Sequence, residues 1–187
     1  MVDINDNGTI CPLPWIHMFA LPDGRAYPCC EAKWNHSTAD LHKTSMNAAW
    51  NSESMRELRL NMLQGTPNNA CERCYALEKS GIPSTRQNAL RKWQHHFSKI
   101  SETGDDGSSH PYMAYLDVRF SNLCNLKCRM CGPVSSSAWH EDGKIIHGST
   151  DLPRHLRVDV DGKIWHELLP YLAQVEQVNF AGGEPLL

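Results

Sequence analysis

The chain has 187 residues, 41% of them hydrophobic and 21% charged, and a formal net charge of −3. This composition is typical of a globular protein, and the small negative charge gives no electrostatic reason to expect nucleic acid or an anionic membrane as a partner. No apolar run approaches the roughly 18 residues of a membrane-spanning helix, and the segment from Met1 to Asp6 lacks the basic start and apolar core of a secretory signal. We therefore expect a cytoplasmic protein.

The chain contains eight cysteines, which is many for its length. Persistent disulfides are rare in a reducing cytosol, where clustered thiols more often bind metal or take part in chemistry. The cysteine content therefore favours metal ligation.

A polar run rich in glycine and serine, residues 101–109, divides the cysteines between two regions. The run has no apolar periodicity, so it is typical of a linker or an exposed loop. We predict a first domain over residues 1–100, a linker over 101–110 and a second domain over 111–187.

The first region is predicted to be loop-rich with two helices. One helix spans about 52–64 and ends before Gly65 and Pro67. Its buried face is formed by Met55, Leu58 and Met62. The other helix begins at a capping box made by Ser84 and Gln87. Its apolar positions are Leu90, Trp93 and Phe97.

The ten histidines form no H-x3-H or H-E-x-x-H pattern. His95 and His96 are neighbours on the second predicted helix, which is otherwise ordinary. We expect them to be a solvated pair rather than a metal site.

The second region changes its hydrophobic period. Alternation from Tyr112 to Phe120 predicts a strand. A helix is predicted over 164–172, bent or divided at Pro170, and a second strand over 175–180. A strand, a helical crossover and a further strand form a βαβ unit, which implies a parallel sheet and an α/β fold.

Three cysteines follow the first of these strands directly. Cys124, Cys128 and Cys131 have the spacing C-x3-C-x2-C. Thiolates are the usual ligands of iron–sulfur clusters, and four would complete a [4Fe–4S] cluster. Three cysteines leave one iron without a protein ligand, and an open coordination site is what metal chemistry on a bound molecule requires.

A glycine-rich turn follows the second strand. Gly182 and Gly183 allow the backbone to approach a ligand closely, and Glu184 comes next. Alone, this sequence is equally typical of a simple strand-to-helix turn. It falls one βα unit after the three cysteines, however, and therefore at the same edge of the parallel sheet.

Together the two motifs resemble those of the radical S-adenosylmethionine (radical SAM) superfamily. The resemblance implies a partial (β/α)6 TIM-like barrel in which the open iron binds S-adenosylmethionine. One electron from an external donor of the flavodoxin or ferredoxin type then produces a 5′-deoxyadenosyl radical, which abstracts hydrogen from a peptide, protein or small-molecule substrate. Gly182, Gly183 and Glu184 are implied to bind the methionine amino group. Met130 stands where the family usually has an aromatic residue near the adenine.

The second region is short for a complete barrel. A (β/α)8 barrel uses about 250 residues, or roughly 30 for each βα unit. Residues 111–187 therefore hold about two units, and we expect a truncated barrel that is not active alone.

The cysteines of the first region form a second pattern. Cys11, Gly24 and Cys29, followed by the C-x2-C pair Cys71 and Cys74, resemble the Twitch domain, a shortened SPASM domain that binds one auxiliary iron–sulfur cluster. The resemblance implies that these four cysteines are the ligands of that cluster. Cys30 either replaces Cys29 or is a buried thiol.

Zinc is the alternative metal for both cysteine groups. Cys124, Cys128 and Cys131 would form a zinc site with His140 or Cys74, and the four earlier cysteines would form another. Two further functions therefore stay open: a non-catalytic electron-transfer protein with two clusters, and a zinc-stabilised interaction module. The first would need a fourth ligand near Cys131.

Overall fold

One mixed sheet of five strands organises the protein in the computed structural model, which describes residues 8–148, 151–159 and 161–185. The strands are β1 (His17–Ala20), β2 (Arg25–Tyr27), β3 (Ala39–Asp40), β4 (Tyr115–Val118) and β5 (Gln177–Val178). Their order across the sheet is β3-β2-β1-β4-β5. The pairs β1–β2 and β2–β3 are antiparallel, whereas β1–β4 and β4–β5 are parallel.

Short helices surround this sheet. In the described part of the chain they are α1 (Leu13–Ile16), α2 (Met46–Trp50), α3 (Glu53–Leu63), α4 (Glu72–Lys79), α5 (Thr85–Lys92), α6 (Phe97–Ser101), α7 (His140–His147) and α8 (Lys163–Leu168). None of these helices combines the length and the apolar character needed to cross a bilayer.

The sheet contains strands from both predicted domains. β1 pairs with β4 along its whole length, from His17 opposite Tyr115 to Ala20 opposite Val118. The hydrogen-bonded sheet therefore extends from the first region into the second. The boundaries at 101–110 stay a prediction.

The βαβ unit predicted for the second region is present. β4 and β5 are parallel neighbours, with Leu116 opposite Val178. The crossover helix is divided as expected, because α8 ends at Leu168 and a 3₁₀ helix, Leu169–Gln174, carries Pro170. The sheet also contains two antiparallel pairs, which the barrel implied by the resemblance does not include. The structure thus shows a mixed α/β fold, and the partial barrel is not confirmed.

Both predicted helices of the first region are confirmed at their N-termini. The Ser52 side chain accepts a hydrogen bond from the Met55 N–H at the start of α3, and Ser84 and Gln87 form the capping box of α5. The second helix is shorter than expected, since α5 ends at Lys92 and the chain continues through a 3₁₀ turn into α6. The break allows the Trp93 ring to stack on Tyr115 of β4, with 6.1 Å between ring centroids.

The expectation that the rest of the first region is loop was wrong. It also forms β1, β2, β3 and the helices α1, α2 and α4. These elements have two to eight residues, too few for a clear period. All four residues of β1 are buried, so this strand has no polar face and shows no alternation.

Arg59 on α3 links two segments of the first region to the linker. Its guanidinium is fully buried and donates hydrogen bonds to the backbone carbonyls of Pro14, Trp50 and Gly107 at 2.9–3.3 Å and to the side-chain oxygen of Asn51 at 3.0 Å. Burial lowers the pKa of this guanidinium to about 10. None of the described hydrogen-bond partners is a carboxylate, so Arg59 acts through its hydrogen bonds rather than through an ion pair.

A buried histidine lies at the centre of the sheet. The His17 ring stacks on Tyr115 at 4.1 Å between centroids, and its Nδ1 lies 2.9 Å from the Tyr115 carbonyl oxygen. Burial lowers the pKa of His17 to about 4. The imidazole is therefore neutral in the folded protein at neutral pH.

This histidine predicts a specific loss of stability in mild acid. An unfolded histidine titrates near pH 6.5, so below that pH the unfolded chain binds a proton that folded His17 does not accept until the pH approaches about 4. Relative to about pH 7.5, the free energy of unfolding at about pH 5.5 should fall by about 1.4 kcal/mol through this group alone. His17→Phe keeps the aromatic packing and should remove this part of the pH dependence. Denaturant unfolding of both proteins at both pH values measures it, and equal pH dependence in the two would contradict the assignment.

Candidate metal centres

Four cysteines of the first region meet at one small cavity. Its lining includes Cys11, Cys29, Cys71 and Cys74. Each is placed by an element boundary, because Cys11 precedes α1, Cys29 follows β2, and the C-x2-C pair begins α4. The four thiols predicted from the resemblance are thus together in space, although 60 residues separate Cys11 from Cys71 in the sequence.

The environment of this cavity disfavours free thiolates. Burial raises the pKa of Cys11 and Cys29 well above the ordinary value for a thiol, and the neighbouring cysteines raise both further. Burial, with Cys74 adding to it, raises the pKa of Cys71 to about 11. Several thiolates can occupy such a space together only if positive charge compensates them. Arg86 lines the same cavity and lowers the pKa of Cys11 and Cys71, and a bound metal centre would supply further positive charge.

The structure separates Cys29 from Cys30. Cys29 faces the cavity of the other three cysteines. Cys30 instead lines a different cavity, together with Phe19, Tyr27 and Arg119. Cys29 is therefore the neighbour of Cys11 and Cys71, and Cys30 is not part of that group.

The three later cysteines lie on the loop that follows β4. The loop is held at its start by Ser137, whose hydroxyl accepts a hydrogen bond from the Cys124 N–H at 3.1 Å and lies 3.0 Å from the Cys124 carbonyl oxygen. The Cys131 N–H donates to the Cys128 carbonyl at 2.9 Å, and the Trp139 indole donates to the same carbonyl at 3.1 Å. These contacts fix the backbone on both sides of the cysteines.

The three thiols of this loop lie near one another. Burial raises the pKa of Cys131, and the nearby thiols of Cys128 and Cys124 raise it further. The Leu126 N–H lies 3.3 Å from the Cys124 sulfur, a contact that stabilises a thiolate or a metal-bound sulfur. Cys128 is exposed. The group is thus accessible from solvent, unlike the buried cavity of the first region.

The Gly-Gly-Glu turn lies directly against the start of this loop. The Glu184 N–H donates to the Leu123 carbonyl at 2.7 Å, and the Gly183 N–H donates to the Ser135 carbonyl at 3.0 Å. Gly182 and Gly183 both have positive φ, +85° and +61°. A Cβ atom on Gly183 would overlap the Leu123 carbonyl, so only glycine permits this approach. The structure therefore brings the two motifs of the second region together at one edge of the sheet.

Met130 is the predicted site residue that stands apart. Its side chain is 94% exposed and extends into solvent. Three polar residues beneath the turn belong to neither sequence motif. Asp117 on β4 is fully buried, accepts a hydrogen bond from Asn179 at 2.9 Å, and lies 3.7 Å from the Arg119 guanidinium. Asp117 lies on β4, and Arg119 and Asn179 directly follow β4 and β5, so their sequence signal is that they alternate with apolar residues.

The expectation that His95 and His96 form a solvated pair holds for His95, whose side chain is half exposed, but not for His96. His96 is buried, and both rings meet the carboxylate of Glu176, which lies 80 or more residues further along the chain. His140 and Cys74 are the alternative fourth ligands for the later cysteines, and of the two only Cys74 belongs to another group of thiols. His140 lies 3.8 Å from Glu141, and Cys74 faces the cavity of the first region.

Four cysteines converging in a buried cavity are typical of an iron–sulfur cluster-binding domain. Comparison with protein families supports this class, since residues 11–75 match the model of SPASM, an iron–sulfur cluster-binding domain that is found in radical SAM proteins. The match contains all four cysteines of the cavity. The comparison with curated proteins found no match, and the comparison with solved structures found none either.

Cys29 and Cys30 provide a matched test of the cluster ligands. Because Cys29 faces the other three thiols and Cys30 does not, Cys29→Ser should lower the iron content of the anaerobically reconstituted chain by up to about four atoms. Cys30→Ser should leave the iron content unchanged. Iron and sulfide analysis of both variants measures this. A loss of iron in Cys30→Ser alone would show that Cys30, and not Cys29, is the ligand.

Proposed function

We propose that this chain is part of a radical SAM enzyme. In this proposal Cys124, Cys128 and Cys131 bind a [4Fe–4S] cluster and leave one iron open for S-adenosylmethionine. The observation that carries the proposal is the contact between the cysteine loop after β4 and the Gly-Gly-Glu turn after the parallel strand β5. Ligands of parallel α/β sheets bind at this edge, beyond the carboxyl ends of the strands.

The residues present suit such a cofactor. The three thiols lie near one another, and a backbone N–H already points at the Cys124 sulfur. When the cluster and S-adenosylmethionine are bound, they supply a 5′-deoxyadenosyl radical for hydrogen abstraction. The protein's part is to hold the cysteine backbone through Ser137 and Trp139 and to present Gly182, Gly183 and Glu184 to the methionine amino group. Met130, exposed beside Cys131, would lie against the adenine.

A second cluster is proposed for the first region, with Cys11, Cys29, Cys71 and Cys74 as its ligands. The SPASM match over residues 11–75 and the convergence of the four thiols support it. Four protein ligands would leave no open iron, so this auxiliary cluster would transfer electrons or stabilise the fold rather than bind substrate. One cluster with four cysteines corresponds to the Twitch form of the domain.

The remaining parts of the proposal follow from the radical SAM assignment. β4 and β5 would be the first two strands of a (β/α)6 partial barrel. The partners would be S-adenosylmethionine, an external one-electron donor of the flavodoxin or ferredoxin type, and a peptide, protein or small-molecule substrate. The reducing cytoplasm would keep the eight cysteines available for ligation.

Anaerobic reconstitution with iron and sulfide tests the proposal on this chain. We expect about eight irons per chain, falling to about four when Cys124, Cys128 and Cys131 are all replaced by alanine. In the reduced wild-type protein, S-adenosylmethionine should change the electron paramagnetic resonance spectrum of one cluster. The triple variant should retain the spectrum of the other cluster and show no such change.

Two outcomes would contradict this assignment. Stoichiometric zinc without iron uptake would indicate a zinc-stabilised interaction module. Two clusters whose spectra do not change on addition of S-adenosylmethionine would favour a simple electron-transfer protein. The Cys11/Cys29/Cys71/Cys74→Ala variant is the reciprocal control, since it should lose the unresponsive cluster and keep the responsive one.

A further inference from the structure

A third group of metal-ligating side chains lies away from both cysteine groups. It joins the 3₁₀ turn Gln94–His96, which follows α5, to the residue before β5. His95 Nε2 lies 2.9 Å from one oxygen of the Glu176 carboxylate, and His96 Nε2 lies 2.8 Å from the other. Their three ligand atoms all lie within 4.8 Å of one another.

The surrounding structure holds these side chains in place. The His96 ring packs between Trp93 and Tyr112, with centroids at 5.9 and 5.2 Å, and the two imidazoles lie 4.2 Å apart. The Glu176 backbone N–H donates to the Ala114 carbonyl at 2.8 Å, which fixes the carboxylate beside the sheet. Little rearrangement would be needed for all three side chains to bind one ion.

Glu176 supplies a negative charge for a bound ion. Both imidazoles direct Nε2 at its carboxylate, one at each oxygen. A single ion among these three ligand atoms would contact all of them and would take the place of the two hydrogen bonds.

Ligand type and exposure indicate the class of ion. Two imidazoles and one carboxylate form a ligand set that suits zinc and related transition metals, whereas calcium and magnesium prefer oxygen ligands. The His95 side chain is 51% exposed and that of Glu176 44% exposed, so water can reach the site and complete the coordination.

We propose that His95, His96 and Glu176 bind one zinc-class divalent ion. The site is separate from both cysteine groups and does not depend on the proposed function. Its ligands come from the helical first region and from the residue before β5, so the ion would crosslink these two parts of the protein. Lys92 and Gln177, which hydrogen-bond beside the site, already connect the same elements.

Zinc binding by matched proteins tests this proposal. Wild type and Glu176→Gln are reconstituted identically, equilibrated with a small excess of zinc and freed of unbound metal before elemental analysis. Because their cysteines are identical, the difference between them cancels zinc held by thiolates. Wild type should retain about one more zinc per chain than Glu176→Gln or His96→Gln. His110→Gln, which replaces an exposed histidine outside the group, should match wild type.

Thermal unfolding separates metal binding from a purely structural role. Added zinc should raise the melting temperature of wild type and of His110→Gln but not that of Glu176→Gln. Equal zinc content in wild type and Glu176→Gln would overturn the proposal. The proposal would also be overturned if Glu176→Gln were less stable without zinc but showed the same rise in melting temperature with zinc as wild type. The three side chains would then be only a hydrogen-bonded group.

Discussion

Replacing Arg59 by methionine is expected to cost at least about 3 kcal/mol of unfolding free energy. The change leaves the buried carbonyls of Pro14, Trp50 and Gly107 without this donor, and each buried acceptor left without a partner costs about 1–3 kcal/mol. Domains of this size are stable by only about 5–15 kcal/mol. Denaturant unfolding of the reconstituted protein should therefore show a strongly reduced midpoint.

Arg56→Met is the matched control on the same helix. Arg56 forms a largely exposed ion pair with Asp106 at 3.0 Å, and such pairs contribute about 0–1 kcal/mol. If the two variants lost similar stability, the hydrogen bonds of Arg59 would not be the main link between α1, the end of α2 and the loop at Gly107.

Gly183→Ala should abolish the effect of S-adenosylmethionine on the cluster spectrum while leaving the iron content near its wild-type value. A left-handed backbone costs a non-glycine residue about 1–2 kcal/mol, and the new Cβ would overlap the Leu123 carbonyl. The turn must therefore move away from the cysteine loop. The cysteines themselves would be unaffected, because their backbone contacts run to Ser137 and Trp139.

Gly132→Ala controls for a methyl group in the same neighbourhood. Gly132 follows Cys131 directly, its φ is not positive, and no atom lies within 4 Å of the position of its Cβ. This variant should respond to S-adenosylmethionine as wild type does. A normal response in Gly183→Ala as well would show that the turn has no part in binding the methionine group.

The elements of the second region could be predicted from sequence because their signals are local. The alternation in β4, Pro170 in the crossover and the glycines after β5 each act within a few residues. The parallel arrangement then requires the two motifs to share one edge of the sheet. That they are in direct contact through Leu123 depends on loop conformation, which no sequence period encodes.

The first region was less predictable because its structure depends on distant contacts. β1 is buried on both faces and has only four residues, so its pattern resembles that of a short buried helix. Its strand character comes from pairing with β4, far along the chain. The choice between Cys29 and Cys30 was open for a related reason, since adjacent side chains face different cavities and no spacing distinguishes them.

The histidine pair illustrates the same limit at a single site. On the sequence, His95 and His96 have no third ligand at a recognisable spacing, because Glu176 is more than 80 residues away from His95. Only the packing of the 3₁₀ turn beside β5 brings them together. The spacing of the apolar residues predicted that both histidines lie on an ordinary amphipathic helix. In the structure that helix ends at Trp93, before it reaches them.

The parallel pairing of β1 with β4 also has a consequence for synthesis of the protein. His17 and its partner Tyr115 are 98 residues apart, so β1 leaves the ribosome long before β4 has been synthesised. Until then the central strand of the sheet has one open edge, and open edges are where nascent chains associate wrongly. Closing so long a loop is also slow. The cysteines of the first region are therefore translated well before their sheet is complete, and a protein cut at residue 110 would expose the β1 edge permanently.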